Sequence, residues 1–215
     1  VKNNTETWAD RLGAEIMPGG TLRLRNPGAV SELPGYKEGA WWVQDIAAHI
    51  IARLLGNVAG KSVIDLCAAP GGKTAVLINS GAHVTAVDRS RNRLERLRNN
   101  LDRLHFSAEV VEENAETWSP HEAADAVLLD APCSATGTLR RHPDIAMGKF
   151  EADVKKLASL QLRLLSSAAK MLKPGGILVY STCSLEPEEG PTQVNQAIQN
   201  KLPLKNIPFT ETDVF

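Results

Sequence analysis

The chain has 215 residues, 43% of them hydrophobic and 23% charged, with a formal net charge of −1. It is long enough for one sizeable α/β core, no apolar run approaches the roughly 20 residues of a bilayer-spanning helix, and the overall balance does not announce a nucleic-acid binder. Three cysteines without a CxxC pair and five scattered histidines support neither a disulfide framework nor a metal site. No basic region followed by an apolar segment opens the chain, so a reducing cytoplasm is the expected compartment.

Residues 1 to about 40 read as irregular. Thr21–Asn26 alternates like a half-buried strand, and Gly19-Gly20, Pro27-Gly28 and Pro34-Gly35 mark turns. Residues 1–32 are expected to be the trailing part of an earlier domain or an arm packed on the main one, with residues 33–215 forming the main domain. From Trp41 to Leu55, apolar residues at Val43, Ile46, Ala47, Ile50, Ile51 and Leu54 have the period of a helix lying on a sheet.

From Ser62 onward strands and helices alternate. Strands are expected at Ser62–Cys67, His83–Asp88, Ala108–Glu112, Ala124–Asp130 and Gly176–Cys183. Helices are expected at about Lys73–Ser80, Arg91–Leu104, Glu151–Leu172 and Pro191–Asn200. The unbroken apolar run Ala126-Val127-Leu128-Leu129 suits a strand buried on both faces, hence a parallel sheet. Right-handed crossovers then give a doubly wound, mostly parallel α/β fold whose ligands bind beyond the carboxyl ends of the strands. There stand Asp65, Asp88, Asp130 and Cys183. After Asn200 the proline-containing tail offers no closing strand, so the sheet is expected to lack its final strands and to leave an open edge near the fifth.

Arg89, Arg91, Arg93, Arg96, Arg98 and Arg103 crowd one stretch, and Arg140-Arg141-His142 forms another cluster. They suit a solvated helix face paired with Glu95 and Asp102 or a surface for phosphates. Alone, the arginines do not choose.

The stretch Val63–Thr74 reads as a strand running into a glycine-rich loop that opens a helix. Cys67 closes the strand, and Ala68, Ala69, Pro70, Gly71 and Gly72 carry no bulky side chain, so a ligand can lie against their backbone before the amides at the helix start. Gly72-Lys73-Thr74 ends like a nucleotide-binding P-loop, but that pattern needs glycine where Cys67 stands, and Pro70 removes an amide donor. A dinucleotide lacks its G-x-G-x-x-G fingerprint, although Asp88, 23 residues after Asp65, is placed to accept from a ribose. S-adenosylmethionine has the ribose without the phosphates, and its ammonium could meet Asp65 or Asp130.

Asp130-Ala131-Pro132-Cys133-Ser134-Ala135-Thr136-Gly137 follows the fourth strand and Ser181-Thr182-Cys183-Ser184 the fifth. Neighbouring strand ends would bring two thiols to one pocket mouth, whereas Cys67, in an apolar strand end, reads as core filler. With Asp65–Thr74 (DLCAAPGGKT), Gly137–Ile145 (GTLRRHPDI) and the lead-in Tyr36–Asp45, these motifs resemble the Sun/Fmu-type (Nop/Sun) RNA cytosine-5 methyltransferases across roughly residues 33 to 190. The resemblance implies a Rossmann-like methyltransferase sheet, residues 1–32 as the remnant of the family's N-terminal RNA-binding subdomain, S-adenosylmethionine as cofactor and RNA as partner, ribosomal RNA favoured over transfer RNA. It implies Cys183 as the nucleophile that adds to carbon 6 of cytosine, Cys133 as the group assisting release of the adduct, and Asp130 as a contact to the cytosine ring nitrogen or amino group. It implies a cofactor site of Cys67 to Lys73 with Asp88, Arg93, Asn114 and Asp130, Lys73 lying toward the target base. A catalytically inactive RNA-binding module of the same fold and a small-molecule methyltransferase are the alternatives. The chain departs from the family at Asn114, where an aspartate normally receives the adenine amino group, at Ala146-Met147-Gly148 after the HPDI motif, and at Glu189-Gly190.

Overall fold

The computed structural model describes residues 1–145 and 151–208; the departure at Ala146-Met147-Gly148 lies outside them. Five parallel strands, β3 (Ser62–Leu66), β4 (His83–Asp88), β5 (Glu109–Glu112), β6 (Ala124–Asp130) and β7 (Leu172–Ser181), form one sheet in the order β5-β4-β3-β6-β7. The chain runs outward from β3 to β5 and then returns to the other side of β3. The crevice between β3 and β6 is therefore the topological switch point, where doubly wound sheets bind ligands.

The apolar strands are covered on both faces. Ile64, Leu66, Val127 and Leu129 pack against Leu164, Leu165 and Ala168 of helix α5 (Glu151–Lys170), while Val63, Ala126 and Leu128 share a second cluster with Val76, Leu77 and Ala52 from α3 (Gly72–Asn79) and α2 (Ile46–Arg53). Leu66, Leu128 and Leu129 are fully buried, each contributing roughly 1.5–3 kcal/mol by its removal from water. Helix α4 (Arg91–Arg103) turns Leu94, Leu97 and Leu101 inward. Helix α6 (Pro191–Gln199) packs beside α5. Among the described residues β7 has no strand neighbour beyond β6.

Several boundaries differ from the sequence reading. Helix α2 covers only Ile46–Arg53, because the Asp45 side chain accepts from the Ala47 amide at 2.8 Å and caps it there. Strand β7 begins at Leu172, and Lys173 to Gly176 form a bulge between the pairings Ala124–Leu172 and Ala126–Ile177. Residues 1–40 hold more structure than expected. Helix α1 (Thr5–Leu12) ends on Gly13 in the left-handed region, with its amide on the carbonyls of Ala9 and Asp10, and β1 (Glu15–Ile16) pairs antiparallel with β2 (Leu22–Arg23). The Trp8–Leu12 spacing followed by glycine was the overlooked signal. Thr21–Asn26 contributes only those two paired residues of β2 because Asn26 and Gly28 leave extended geometry.

This segment is tied to the elements of the main sheet. The Lys2 amide donates to the Ala40 carbonyl at 3.1 Å, and its ammonium reaches the Leu104 carbonyl and lies over Phe106. Arg103, one of the clustered arginines, donates to the carbonyls of Tyr36 (2.8 Å) and Trp41 (3.1 Å) and stacks on the Tyr36 ring. Only glycine fits at position 39, because a Cβ there would stand 1.9 Å from the Arg103 carbonyl oxygen.

Candidate active site at the carboxyl ends of the strands

The four acids and thiols singled out by sequence do converge on one edge of the sheet: Asp65 in β3, Asp88 and Asp130 closing β4 and β6, and Cys183 two residues beyond β7. Asp65 is fully buried. Its Oδ2 accepts from Thr74 Oγ1 at 2.6 Å, while its Oδ1 has no partner in the protein. Burial drives its carboxyl up to about 7, the Thr74 hydroxyl opposing and Asp130 adding to the rise. An acid desolvated in this way with one oxygen unsatisfied is incomplete until a donor reaches it.

Asp88, also buried, accepts from the amides of Ala69 (3.2 Å) and Ser90 (2.9 Å) and faces the Arg93 guanidinium at 3.3 Å. Arg93 continues to the Ala69 carbonyl, so it fastens the loop to the acid. The small residues of the loop serve packing as well as ligand approach. Ala68 and Ala69 join Ala86, Leu94, Leu97 and Leu101 in one cluster, and Gly71, at φ +97°, leaves room for Leu97, which a Cβ would meet at 3.0 Å. Gly71 precedes α3 without a side-chain cap, leaving the first amides of that helix without one. Cys67 adopts a left-handed φ of 59° and packs against the core, and burial with Asp88 beside it drives its thiol up to about 12. It is an inert thiol, as its strand-end position suggested.

Lys73, expected to serve the cofactor or the target base, donates to Asp130 Oδ2 at 2.7 Å with its side chain mostly covered, and Ser181 Oγ donates to Asp130 Oδ1 at 2.9 Å. Asp130 therefore joins the cofactor loop to the end of β7. Asn114 is exposed, and its Oδ1, the expected adenine acceptor, accepts from the Glu116 amide at 3.1 Å. That local turn engages the oxygen and leaves it one lone pair for another donor.

On the other side of the crevice the two thiols meet. Cys133 and Cys183 are both free, with Sγ atoms 3.3 Å apart. The contact with Cys133 lowers the Cys183 titration, while the same contact and burial raise that of Cys133. Cys183 is the more exposed of the two, and the contact favours its thiolate form. The two turns lie close: the Gly137 amide donates to the Cys183 carbonyl at 2.9 Å, and a Cβ on Gly137 would stand 2.8 Å from that oxygen. Arg141 of the HPDI turn pairs with Asp45, the cap of α2.

Sequence reasoning noted Glu189 only in the Glu189-Gly190 departure and missed the side-chain network beneath the thiols. Glu189, fully buried, holds the Ser134 amide and hydroxyl together with Gln161 of α5. Three glutamates among Glu186-Pro187-Glu188-Glu189 give no mark of which is buried. The repeated Cys-Ser dipeptide, Cys133-Ser134 and Cys183-Ser184, was the readable sign that the two turns share a network.

A parallel sheet in this order, with acids at its strand ends and an uncapped glycine turn at the switch point, is a Rossmann-like methyltransferase fold. The sequence profile of the 16S rRNA methyltransferase RsmB/F family matches residues 52–214, and the chain belongs to that family. It is 45% identical over 186 residues to ribosomal RNA small subunit methyltransferase B of Erwinia tasmaniensis, covering 84% of this chain and 43% of the relative. The protein of that name from Pasteurella multocida is 41% identical over 230 residues, covering 99% of this chain and 52% of the relative. The chain thus spans about half the length of these curated relatives. The crystal structure of a protein designated PH0851 superposes with a TM-score of 0.89 at 31% identity, covering 97% of this chain and 50% of the other.

Proposed function

We propose that this chain is the catalytic part of an S-adenosylmethionine-dependent methyltransferase that modifies carbon 5 of a cytidine in ribosomal RNA through a covalent cysteine adduct. The observation that carries the reading is the thiol pair, 3.3 Å apart at the mouth of a buried acidic crevice. Family membership and the names of the relatives support a ribosomal RNA substrate.

The residues present fit the cofactor. Its ammonium would answer the unpartnered Asp65 Oδ1, and its ribose hydroxyls would reach the remaining lone pairs of Asp88, with Ala68 to Gly72 giving close backbone approach. Asn114, near the end of β5, would take the adenine edge, and Arg93 acts by holding Asp88 and the Ala69 carbonyl in place. When bound, the cofactor supplies an electrophilic methyl group.

Carbon 5 of cytosine is a poor nucleophile. Attack of the Cys183 thiolate on carbon 6 forms a C–S bond and moves the C5–C6 π electrons toward carbon 5 and the ring nitrogen. Asp130, oriented by Lys73 and Ser181, accepts from the protonated ring nitrogen or the amino group and so keeps a proton where that charge collects. Carbon 5 would then bond to the methyl group as the methyl's bond to the donor sulfur breaks, that electron pair staying on the sulfur. Release needs the proton on carbon 5 to pass to a base and the C6–Sγ bond to break, its electrons restoring the double bond and regenerating the Cys183 thiolate. Cys133 is the thiol beside that sulfur and assists this step. Because carbon 6 is approached out of the ring plane, the target base has to leave its stack.

RNA carrying 5-fluorocytidine tests the assignment, since fluorine on carbon 5 blocks release after methyl transfer. Wild type and Cys133→Ala are expected to form an adduct stable to denaturing electrophoresis, and Cys183→Ala none. An adduct with Cys183→Ala and none with Cys133→Ala would reverse the two roles, and none with any form would overturn the covalent mechanism.

A further inference from the structure

Beneath the two thiols lies a chain of hydrogen bonds whose direction is fixed at one end. The Glu189 carboxylate can only accept, so the Ser134 hydroxyl donates to it. Ser134 Oγ then has to accept from Ser184 Oγ, 2.9 Å away, and Ser184 Oγ, its proton spent, accepts from Thr136 Oγ1 at 3.3 Å and from the Glu186 amide at 3.0 Å. Thr136 Oγ1 in turn accepts from the Leu185 amide at 3.0 Å. The chain runs Thr136 to Ser184 to Ser134 to Glu189 without a donor-against-donor conflict, crossing twice between the turn that carries Cys133 and the turn that carries Cys183.

Glu189 also holds the main chain on both sides of Cys133. Its two oxygens lie 2.9 and 3.1 Å from the Ser134 amide, and its Oε1 accepts from Gln161 Nε2 at 3.0 Å, the same nitrogen that donates to the Pro132 carbonyl at 2.9 Å. Its own carbonyl accepts from Tyr180 of β7 at 2.6 Å. Glu189 and Gln161 are completely buried, and every side-chain donor on the carboxylate is neutral. A carboxylate in that setting is expensive to bury unless the donors around it are required.

We infer that Glu189 is a positioning residue for the thiol pair: through Ser134 and Ser184 it sets the separation and orientation of Cys133 Sγ and Cys183 Sγ. The inference rests on the two-thiol mechanism above. It makes Glu189→Gln informative, because a carboxamide keeps the volume but replaces one acceptor by a donor, which must then face Gln161 Nε2 or the Ser134 donors.

The experiment uses the full-length protein. Iodoacetamide labelling of the Cys183 peptide, followed by mass spectrometry across pH, reads thiolate formation directly. In Glu189→Gln the labelling midpoint is expected to move up toward that of an ordinary thiol, kcat for RNA methylation to fall at least tenfold, and KM for S-adenosylmethionine to change less than twofold. Glu189→Asp, which keeps the carboxylate, is expected to recover part of both losses. An unchanged labelling midpoint, or a KM for the cofactor that rises with the loss of kcat, would overturn the positioning role. If Glu189→Gln does not fold, Ser134→Ala decides, since it cuts the same chain while keeping the amide: an upward midpoint supports the role and an unmoved one overturns it. The 5-fluorocytidine adduct keeps the two claims apart. A wild type without adduct fails the mechanism, whereas an adduct formed equally fast by wild type and Glu189→Gln fails only the positioning role.

Discussion

The two sides of the switch-point crevice are built by opposite means. At the ends of β3 and β4 the groups are buried acids, one with an unsatisfied oxygen and a carboxyl driven up to about 7, held by a loop packed tightly on α4. At the ends of β6 and β7 the reactive groups are accessible thiols, and the buried charge beneath them, Glu189, is enclosed by neutral donors. The first side is incomplete alone and suits a small cationic ligand. The second is saturated beneath its surface and open above at Cys183, which suits the proposed attack on a bulky base. Asp130 and Lys73 stand between them and belong to both.

The sharpest way to break that division is Cys183→Ala, which is expected to lower RNA methylation by about 10³-fold or more while calorimetry shows S-adenosylmethionine binding unchanged. A matched pair of glycine substitutions comes next. Gly71→Ala, at φ +97° and against Leu97, is expected to cost about 1–3 kcal/mol of stability and to weaken cofactor binding. Gly137→Ala, whose Cβ would press on the Cys183 carbonyl, is expected to cost a similar amount but to slow alkylation of Cys183 and leave cofactor affinity intact. Thermal melts with calorimetry and peptide labelling separate the two.

Titrations sharpen the same contrast. A thiol held below its ordinary value is already thiolate nearer neutrality, so the methylation rate is expected to rise with pH and level off below the ordinary thiol value of 9.0. Cys133→Ala, removing the contact between the thiols, is expected to move that inflection upward. Asp65 titrates in the opposite sense. Its folded value of about 7 stands above the ordinary 3.8, so the folded chain keeps a proton that the unfolded chain has lost. Stability is then expected to fall as pH rises from about 4 to about 7, and Asp65→Asn to flatten that slope in urea titrations and to weaken cofactor binding. The smallest effect is expected at the rim. Arg141→Ala removes a half-exposed ion pair to Asp45 and is expected to change stability by less than about 1 kcal/mol.

The sequence alone determined the sheet, because apolar runs and turn residues repeat along each βα unit and parallel pairing follows from burial on both faces. It also determined which acids and thiols stand at strand ends, since a strand's last residue is local information. Helix α1 was legible in its Trp8–Leu12–Gly13 signature but overlooked. Only the tertiary structure decided what those residues touch. Lys73 turned to Asp130, Arg103 to the carbonyls of Tyr36 and Trp41, and Asn114 Oδ1 to its own turn, because each found a partner that spacing along the chain does not reveal. Glu189 is the clearest case. Of the nearby glutamates Glu188 is exposed and Glu186 half-buried, and the Glu189 partners Ser134 and Gln161 lie 55 and 28 residues away. A buried carboxylate is defined by the donors that the folded chain brings around it, and those donors come from elements that meet only once the sheet is assembled.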